Sequence, residues 1–250
     1  MCGISCIISL DRGQGHATSC LDDSKTLAKQ LDNSLELIKH RGPDSRGQWI
    51  SPDNKVGTLS LQPPTDLATS PFTISKNLLT LSLAFGHVRL AINDLSPDGA
   101  QPFHDEDDNV HAVVNGELYD HEAIRASLVE KTDYKFKSRS DCEIVIALYK
   151  YYGLSFLSKL RGEFALCIYD ARTQLFIAAR DRYGIKPLFY TFVDNKLLVA
   201  AEAKAFLPLG WKPEWDVASL KEAGWNHDAR TIFKDVRKVK ARQYVDEWWY

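Results

Sequence analysis

The sequence contains no run of 18 consecutive apolar residues, which excludes a hydrophobic helix crossing a membrane. It carries almost no net charge: 31 Lys and Arg against 33 Asp and Glu leave −2. That balance argues against a uniformly basic nucleic-acid-binding surface. Its five cysteines, at 2, 6, 20, 142 and 167, are odd in number and never stand in C-x2-C spacing, so neither a zinc ribbon nor a dense disulfide framework is expected. The start, MCGISCIISLDRG, lacks a basic leader and a small-residue cleavage site and reads as a strand rather than a signal peptide. Free thiols without an export signal predict a reducing, cytoplasmic setting. No GxxxxGK[ST] phosphate loop is present. The seven histidines show no recognised metal-ligand spacing, so no metal site is expected, and residues 104–108 (HDEDD) read as a solvated loop.

What is present is the composition of a globular chain: 250 residues, 44% apolar and 26% charged. A chain of this length buries roughly 70–75% of its extended surface and needs no covalent staple. Residues 2–10 form a short apolar run suited to a buried strand. Leu27, Leu31, Leu35 and Ile38 recur at helical spacing and predict a helix over 24–39, ended by Gly42-Pro43. Strands are expected near 55–61, 78–92 and 110–114, with a Pro/Ser/Thr-rich surface insertion at 62–77. A helix fits 120–130. Ser140 and Glu143 have capping-box spacing ahead of the apolar run 144–148, so another helix should begin there. Strand candidates follow at 164–169, 175–180, 187–192 and 196–201, two of their connections resembling hairpin turns. Many strands with few amphipathic helices predict helices laid over mostly antiparallel sheets. After Trp211 the pattern loosens, basic residues cluster, and the chain closes on aromatics including Trp248, Trp249 and Tyr250.

Cys2 is the first candidate for chemistry. An internal thiol is only about 3% thiolate at neutral pH. Removal of the initiator Met leaves one residue bearing both a thiol and an α-amine, whose pKa near 8 suits a general base toward its own thiol. This is the logic of a nucleophile with an amine base. Cys6 lies on the same strand face and is read as packing. Asn115-Gly116 follows a strand and reads either as a plain turn or as two donors, a side-chain amide and a backbone N–H, aimed at one oxyanion.

The strings MCGI, HRGPDSRG (40–47), GHVRLAINDLSPDGAQPF (86–103), VVNGELYDHEAIR (113–125), SDCE (140–143) and RDRYGIKPLFY (180–190) occur in this order. Together they resemble the glutaminase domain of asparagine synthetases, a class II glutamine amidotransferase with an N-terminal nucleophile. The resemblance spans residues 2–207 and implies an α+β fold, a four-layer αββα sandwich of mostly antiparallel sheets, with 208–250 as a C-terminal arm. It implies that Cys2 attacks the glutamine side-chain amide while Asn115 and Gly116 hold the oxyanion. Arg89 would grip the substrate carboxylate, with Leu90 and Ile92 adding backbone contacts. Glu117 and Asp141 would face the substrate ammonium, as the two charges of free glutamine require. Residues 40–47 would act as a lid; Arg180, Asp181 and Gly184 read as a buried ion pair beside a turn.

The family usually has glycine where this chain has Arg139, next to the ammonium-binding pair. The family's ATP-using half carries an SGGxDS loop, which occurs nowhere in these residues. The expected activity is therefore glutamine hydrolysis to glutamate and ammonia, the ammonia-supplying half of asparagine biosynthesis. That step calls for no cofactor; ATP and Mg²⁺ enter only with a synthetase domain. The partners so implied are glutamine and a synthetase subunit or a second copy, with neither nucleic acid nor membrane. Two other readings stand beside it: a catalytically silent module of the same fold, and the glutaminase part of a purine or hexosamine amidotransferase.

Overall fold

The computed structural model describes residues 1–9, 20–51, 72–74 and 82–241. Its strands and helices run in the order β1 (Gly3–Ser9), α1 (Cys20–Ile38), β2 (Ser45–Ile50), β3 (Phe72–Ile74), β4 (Leu83–Arg89), β5 (Phe103–His104) and β6 (Val110–Leu118). Then come α2 (His121–Lys131), α3 (Ile144–Tyr152), β7 (Gly162–Asp170), β8 (Leu175–Arg180), β9 (Phe189–Val193), β10 (Lys196–Ala200), α4 (Val217–Lys221), α5 (Gly224–His227) and β11 (Arg237–Lys238). One sheet has the order β11-β9-β10-β1-β4-β2 and the other β3-β8-β7-β6-β5. Every pairing among these strands is antiparallel.

The layers follow from strand alternation, because successive side chains point to opposite faces. In β1, Ile4, Cys6 and Ile8 enter the apolar layer between the sheets, where they meet Val113 of β6 and Ala165, Cys167 and Tyr169 of β7. Ile7 points the other way and packs with Leu27, Leu31, Leu35 and Ile38 of α1. On the outer face of the second sheet, Val110, Ala112 and Val114 pack under Ile144, Val145 and Leu148 of α3. Three apolar layers between four structural ones make an α+β sandwich of αββα order. Residues 208–241 run back across the body: Trp211 joins the α1 layer, Val239 joins the inter-sheet layer, and β11 extends the first sheet beside β9.

Several local expectations are revised. Residues 40–47 are not a loop throughout. After a 3₁₀ turn at Lys39–Arg41 the chain forms β2, a sheet-edge strand whose outward residues are mostly exposed. An edge strand needs few apolar residues, so its sequence pattern is weak. Asn115 and Gly116 lie inside β6, paired with Ala165 and Phe164, not in a turn after it. Inside the expected insertion, Phe72–Ile74 forms a strand paired with β8. The remainder of that insertion, the strand expected at 55–61 and the terminal aromatics lie outside the described residues. The capping box is only half made. Ser140 Oγ accepts from Cys142 N–H at 3.3 Å. The Glu143 carboxylate instead accepts from the N–H groups of Lys137 and Ser138 at 2.7 and 2.8 Å, folding the preceding loop onto the helix.

Candidate active site

Alternation brings the candidate residues together. Cys2 stands one position before β1, in step with Ile4 and Cys6, so its side chain continues the inter-sheet face. Asn115 is in step with Val113 on the facing strand and points into the same seam. A cavity opens there, lined among others by Cys2, Arg89, Asn115, Gly116, Glu117 and Asp141, with Leu90 and Ile92 also on its wall.

Cys2 is clamped from several sides. Its Sγ accepts from Leu90 N–H at 3.3 Å and lies 3.6 Å from Leu90 O, while its carbonyl accepts from Arg41 Nε at 2.9 Å. Arg41 in turn pairs with Glu202 at 2.9 Å. Burial pushes the thiol above its ordinary pKa and Asp141 adds to this; the Leu90 N–H, the amino terminus and Arg89 pull it back down. Burial therefore outweighs the positive charges around it. The environment leaves the proton on sulfur, and an adjacent base is needed to take it.

The edge of β6 facing the cavity has a simple hydrogen-bond ledger. In an antiparallel strand, alternate residues present both N–H and C=O to one side. Val114 gives its N–H to Gln101 Oε1 at 2.6 Å and its carbonyl takes Gln101 Nε2 at 3.0 Å. Leu118 gives its N–H to Asp141 Oδ2 at 2.7 Å. Gly116, midway between them, presents its carbonyl to the Cys142 thiol at 3.7 Å. Its N–H points to that same edge, because its cross-strand partner Phe164 turns its own carbonyl away, to Asp181 N–H at 2.7 Å. Beside it, Asn115 is 1% exposed and its Nδ2 has no hydrogen-bond partner among the described residues. A buried amide left unpaired typically costs about 1–3 kcal/mol, so such a group calls for an explanation. Gly116 cannot be anything larger: a Cβ there would stand 2.3 Å from Glu163 O.

The remaining candidates take mixed roles. Arg89 is 8% exposed; its Nη1 donates to Ser96 O at 2.8 Å and its Nη2 to Asp94 O. Its fork thus braces the 90–96 loop while still lining the cavity. Leu90 uses its backbone on the Cys2 thiol, and Ile92 sits 65% exposed at the rim. Glu117 is an exposed rim residue, and Asp141, buried, spends one oxygen on Leu118. Arg139 is exposed and absent from the cavity wall, and its backbone N–H is tied to Asp94 Oδ2 at 2.8 Å.

No residue of 40–47 lines the cavity, which does not fit a lid in this conformation. Arg41 braces Cys2 instead, and Asp44 Oδ2 accepts from Ala91 N–H at 2.8 Å. Arg180 and Asp181 form no direct pair. Arg180 donates to the carbonyls of Gly184, Lys186 and Val239, and Asp181 collects the N–H groups of Phe164, Tyr183, Ile185 and Lys186. Both organise backbone. Lys186, beside them, reaches the cavity wall and pairs with Glu163 at 2.9 Å.

Sequence reasoning missed Gln101 and His87. Gln101 completes the edge of β6 with a side chain in place of a neighbouring strand. His87 donates from Nε2 to Val114 O at 3.1 Å; its Nδ1 is buried without a partner among the described residues, and burial pushes its pKa down to about 3. No local pattern marks either residue, because each acts on a strand distant in sequence.

The comparisons agree with this geometry. Residues 74–248 match the family model described as a glutamine amidotransferase domain. The amidase chry2 of Gibberella zeae is 49% identical over 98% of this chain and 32% of its own length. An asparagine synthetase (glutamine-hydrolyzing) of Bacillus subtilis is 30% identical over 98% of this chain and 29% of its own. The chain thus spans about a third of the length of the curated relatives it matches. Among solved structures, the glutamine phosphoribosylpyrophosphate amidotransferase of B. subtilis superposes with TM-score 0.56 at 20% identity, covering 83% of this chain and 43% of that one. That likeness is one of fold. The matched model covers well over half of the sequence, and the chain belongs to the glutamine amidotransferase domain family, with asparagine synthetases among its relatives.

Proposed function

We infer that this chain hydrolyses the side-chain amide of glutamine, with Cys2 as the N-terminal nucleophile. One observation carries the reading: the buried, unpartnered Nδ2 of Asn115 stands beside the outward N–H of Gly116, in the cavity that Cys2 lines. Preorganised donors of this kind do most where negative charge develops on a carbonyl oxygen.

The mechanism follows from these groups. Met1 is 54% exposed at the cavity, open to removal. The freed α-amine takes the thiol proton as sulfur bonds to the amide carbon. The oxyanion is held by Asn115 Nδ2 and Gly116 N–H. The tetrahedral intermediate collapses, the protonated amine gives its proton to the leaving nitrogen, and ammonia departs. Water, deprotonated by the same amine, then cleaves the thioester to glutamate and regenerates Cys2. Asp141 and Glu117 supply negative charge for the substrate ammonium, and Arg89 supplies the remaining donors of its fork for the carboxylate.

The ammonia acceptor is a separate matter. A relative is named as an asparagine synthetase and another as an amidase; asparagine formation, with ATP, Mg²⁺ and aspartate at a synthetase domain or partner, is the finer proposal. The glutaminase half is tested by glutamate release from glutamine, comparing chain that begins at Cys2 with the same chain retaining Met1. The first should turn over; the second should stay folded and not. Equal rates from both would overturn the amine-base mechanism.

A further inference from the structure

The far end of β6 carries a cluster that glutamine hydrolysis does not use. β5 and β6 form a hairpin in which His104 lies directly across from His111. Seven residues apart in sequence, the two rings meet with Nδ1 atoms 2.7 Å apart. Asp108 lies in the turn, in the left-handed region at φ 53°, which swings its carboxylate back over the rings. Its Oδ1 stands 3.8 Å from each Nδ1. Two imidazoles and a carboxylate therefore converge within 4.8 Å.

We propose that His104, Asp108 and His111 bind one divalent transition-metal ion of the zinc class, with water completing the coordination on the exposed side. Ligand atoms about 2.0–2.1 Å from a tetrahedral ion are roughly 3.3 Å from one another, and separations of 2.7 and 3.8 Å bracket that figure. A hydrogen bond between the rings accounts for the short contact between them but not for the approach of Asp108 to both. One cation accounts for all three groups.

The hairpin is also rigid in the way a metal site requires. Asp105 is 2% exposed and takes no part in the cluster: it accepts from the N–H groups of Asn109 and Val110 at 2.7 and 2.9 Å and pairs with Lys150 at 2.8 Å. The expected solvated loop is thus a pinned turn. His111 is stacked on Trp49 at 3.7 Å between centroids and lies near-parallel to Tyr169 at 6.5 Å, so its ring orientation is fixed. Asp108 is 70% exposed and His104 34%, leaving room for water ligands. Two nitrogens and one carboxylate oxygen suit zinc and its neighbours better than calcium or magnesium, which prefer all-oxygen shells.

The test is a Zn²⁺ titration by isothermal calorimetry on untagged, chelator-stripped full chain carrying Cys2→Ser, so that the nucleophile does not compete. One equivalent should bind with a dissociation constant of about 10 μM or tighter, and His104→Ala should weaken it by about tenfold or more. Asp108→Asn, on an exposed side chain, gives a second reading that spares the hairpin should His104→Ala disturb it, and should weaken binding severalfold. Absence of saturable binding up to about 100 μM, or binding unchanged in both variants, would overturn the proposal.

Discussion

The two ends of β6 use the same kind of backbone in opposite ways. At the hairpin end, Asp105 and β5 satisfy the chain's polar groups, and the turn is closed. At the other end no strand among the described residues covers the edge; side chains of Gln101 and Asp141 take the N–H groups of Val114 and Leu118 and pass over Gly116 between them. The contrast teaches that the site is a gap in an otherwise complete ledger. Closing the edge with a strand would have used up the donor that the proposed hydrolysis needs, while leaving all of it open would have cost stability at three positions.

The comparison breaks most visibly if the gap is not where chemistry happens. Cys2→Ala, or a blocked amine at Cys2, should abolish glutamate release while thermal unfolding stays close to wild type. Next in size, Asn115→Ala should lower kcat by about 10²–10³. Because Nδ2 has no partner to lose, its stability should change by less than about 1 kcal/mol. A large stability loss with intact kcat would mean that the amide is structural.

Gln101→Ala and Asp105→Ala sharpen the contrast between the ends. Gln101→Ala removes two hydrogen bonds from buried Val114, and Asp105→Ala removes two from Asn109 and Val110 together with the Lys150 ion pair, so each should cost at least about 1–3 kcal/mol in urea unfolding. Only Gln101→Ala, which frees β6 two residues from Gly116, should also slow turnover, by about tenfold, a loss of about 1.4 kcal/mol in transition-state stabilisation. Equal activity losses would erase the distinction.

The smallest effect concerns pH. Between the ordinary imidazole pKa near 6.5 and about 3, the unfolded chain holds a proton on His87 that the folded chain does not. Stability therefore rises with pH across that window and falls as acid is added, by up to about 1.4 kcal/mol per pH unit for one group. His87→Gln should flatten the dependence of unfolding free energy between pH 6.5 and 5. An unchanged slope would show that His87 is not buried in its neutral form.

Much of the frame could be read without coordinates. The short apolar run after Met1, the four-and-three spacing of Leu27 to Ile38 and the hairpin-turn residues around 171–173 and 194–195 are local signals, and each appears as a strand, a helix or a turn. Cys2 carried enough chemistry in its type and position to be singled out, whereas Asn115 and Asp141 were marked by the family resemblance of the strings that hold them. The misreadings share a cause. Gly-Pro punctuation hid β2 because an edge strand needs little apolar surface, and Asn115-Gly116 read as following the strand instead of lying inside it because those residue types usually break one.

What the sequence determined by itself was which residues share a strand face. Cys2 and Cys6, four positions apart, fall on one face of the first strand whatever packs against it, since period two is a property of the chain and not of its neighbours. Tertiary structure alone decided what those faces meet. Gln101 stands in for a strand, Arg41 holds the Cys2 carbonyl from 39 residues away, and His104 reaches His111 only through cross-strand register. Hydrogen bonds between distant segments have no period and leave no local pattern. Which donors remain free is a property of the whole ledger, known only once every other group has found its partner.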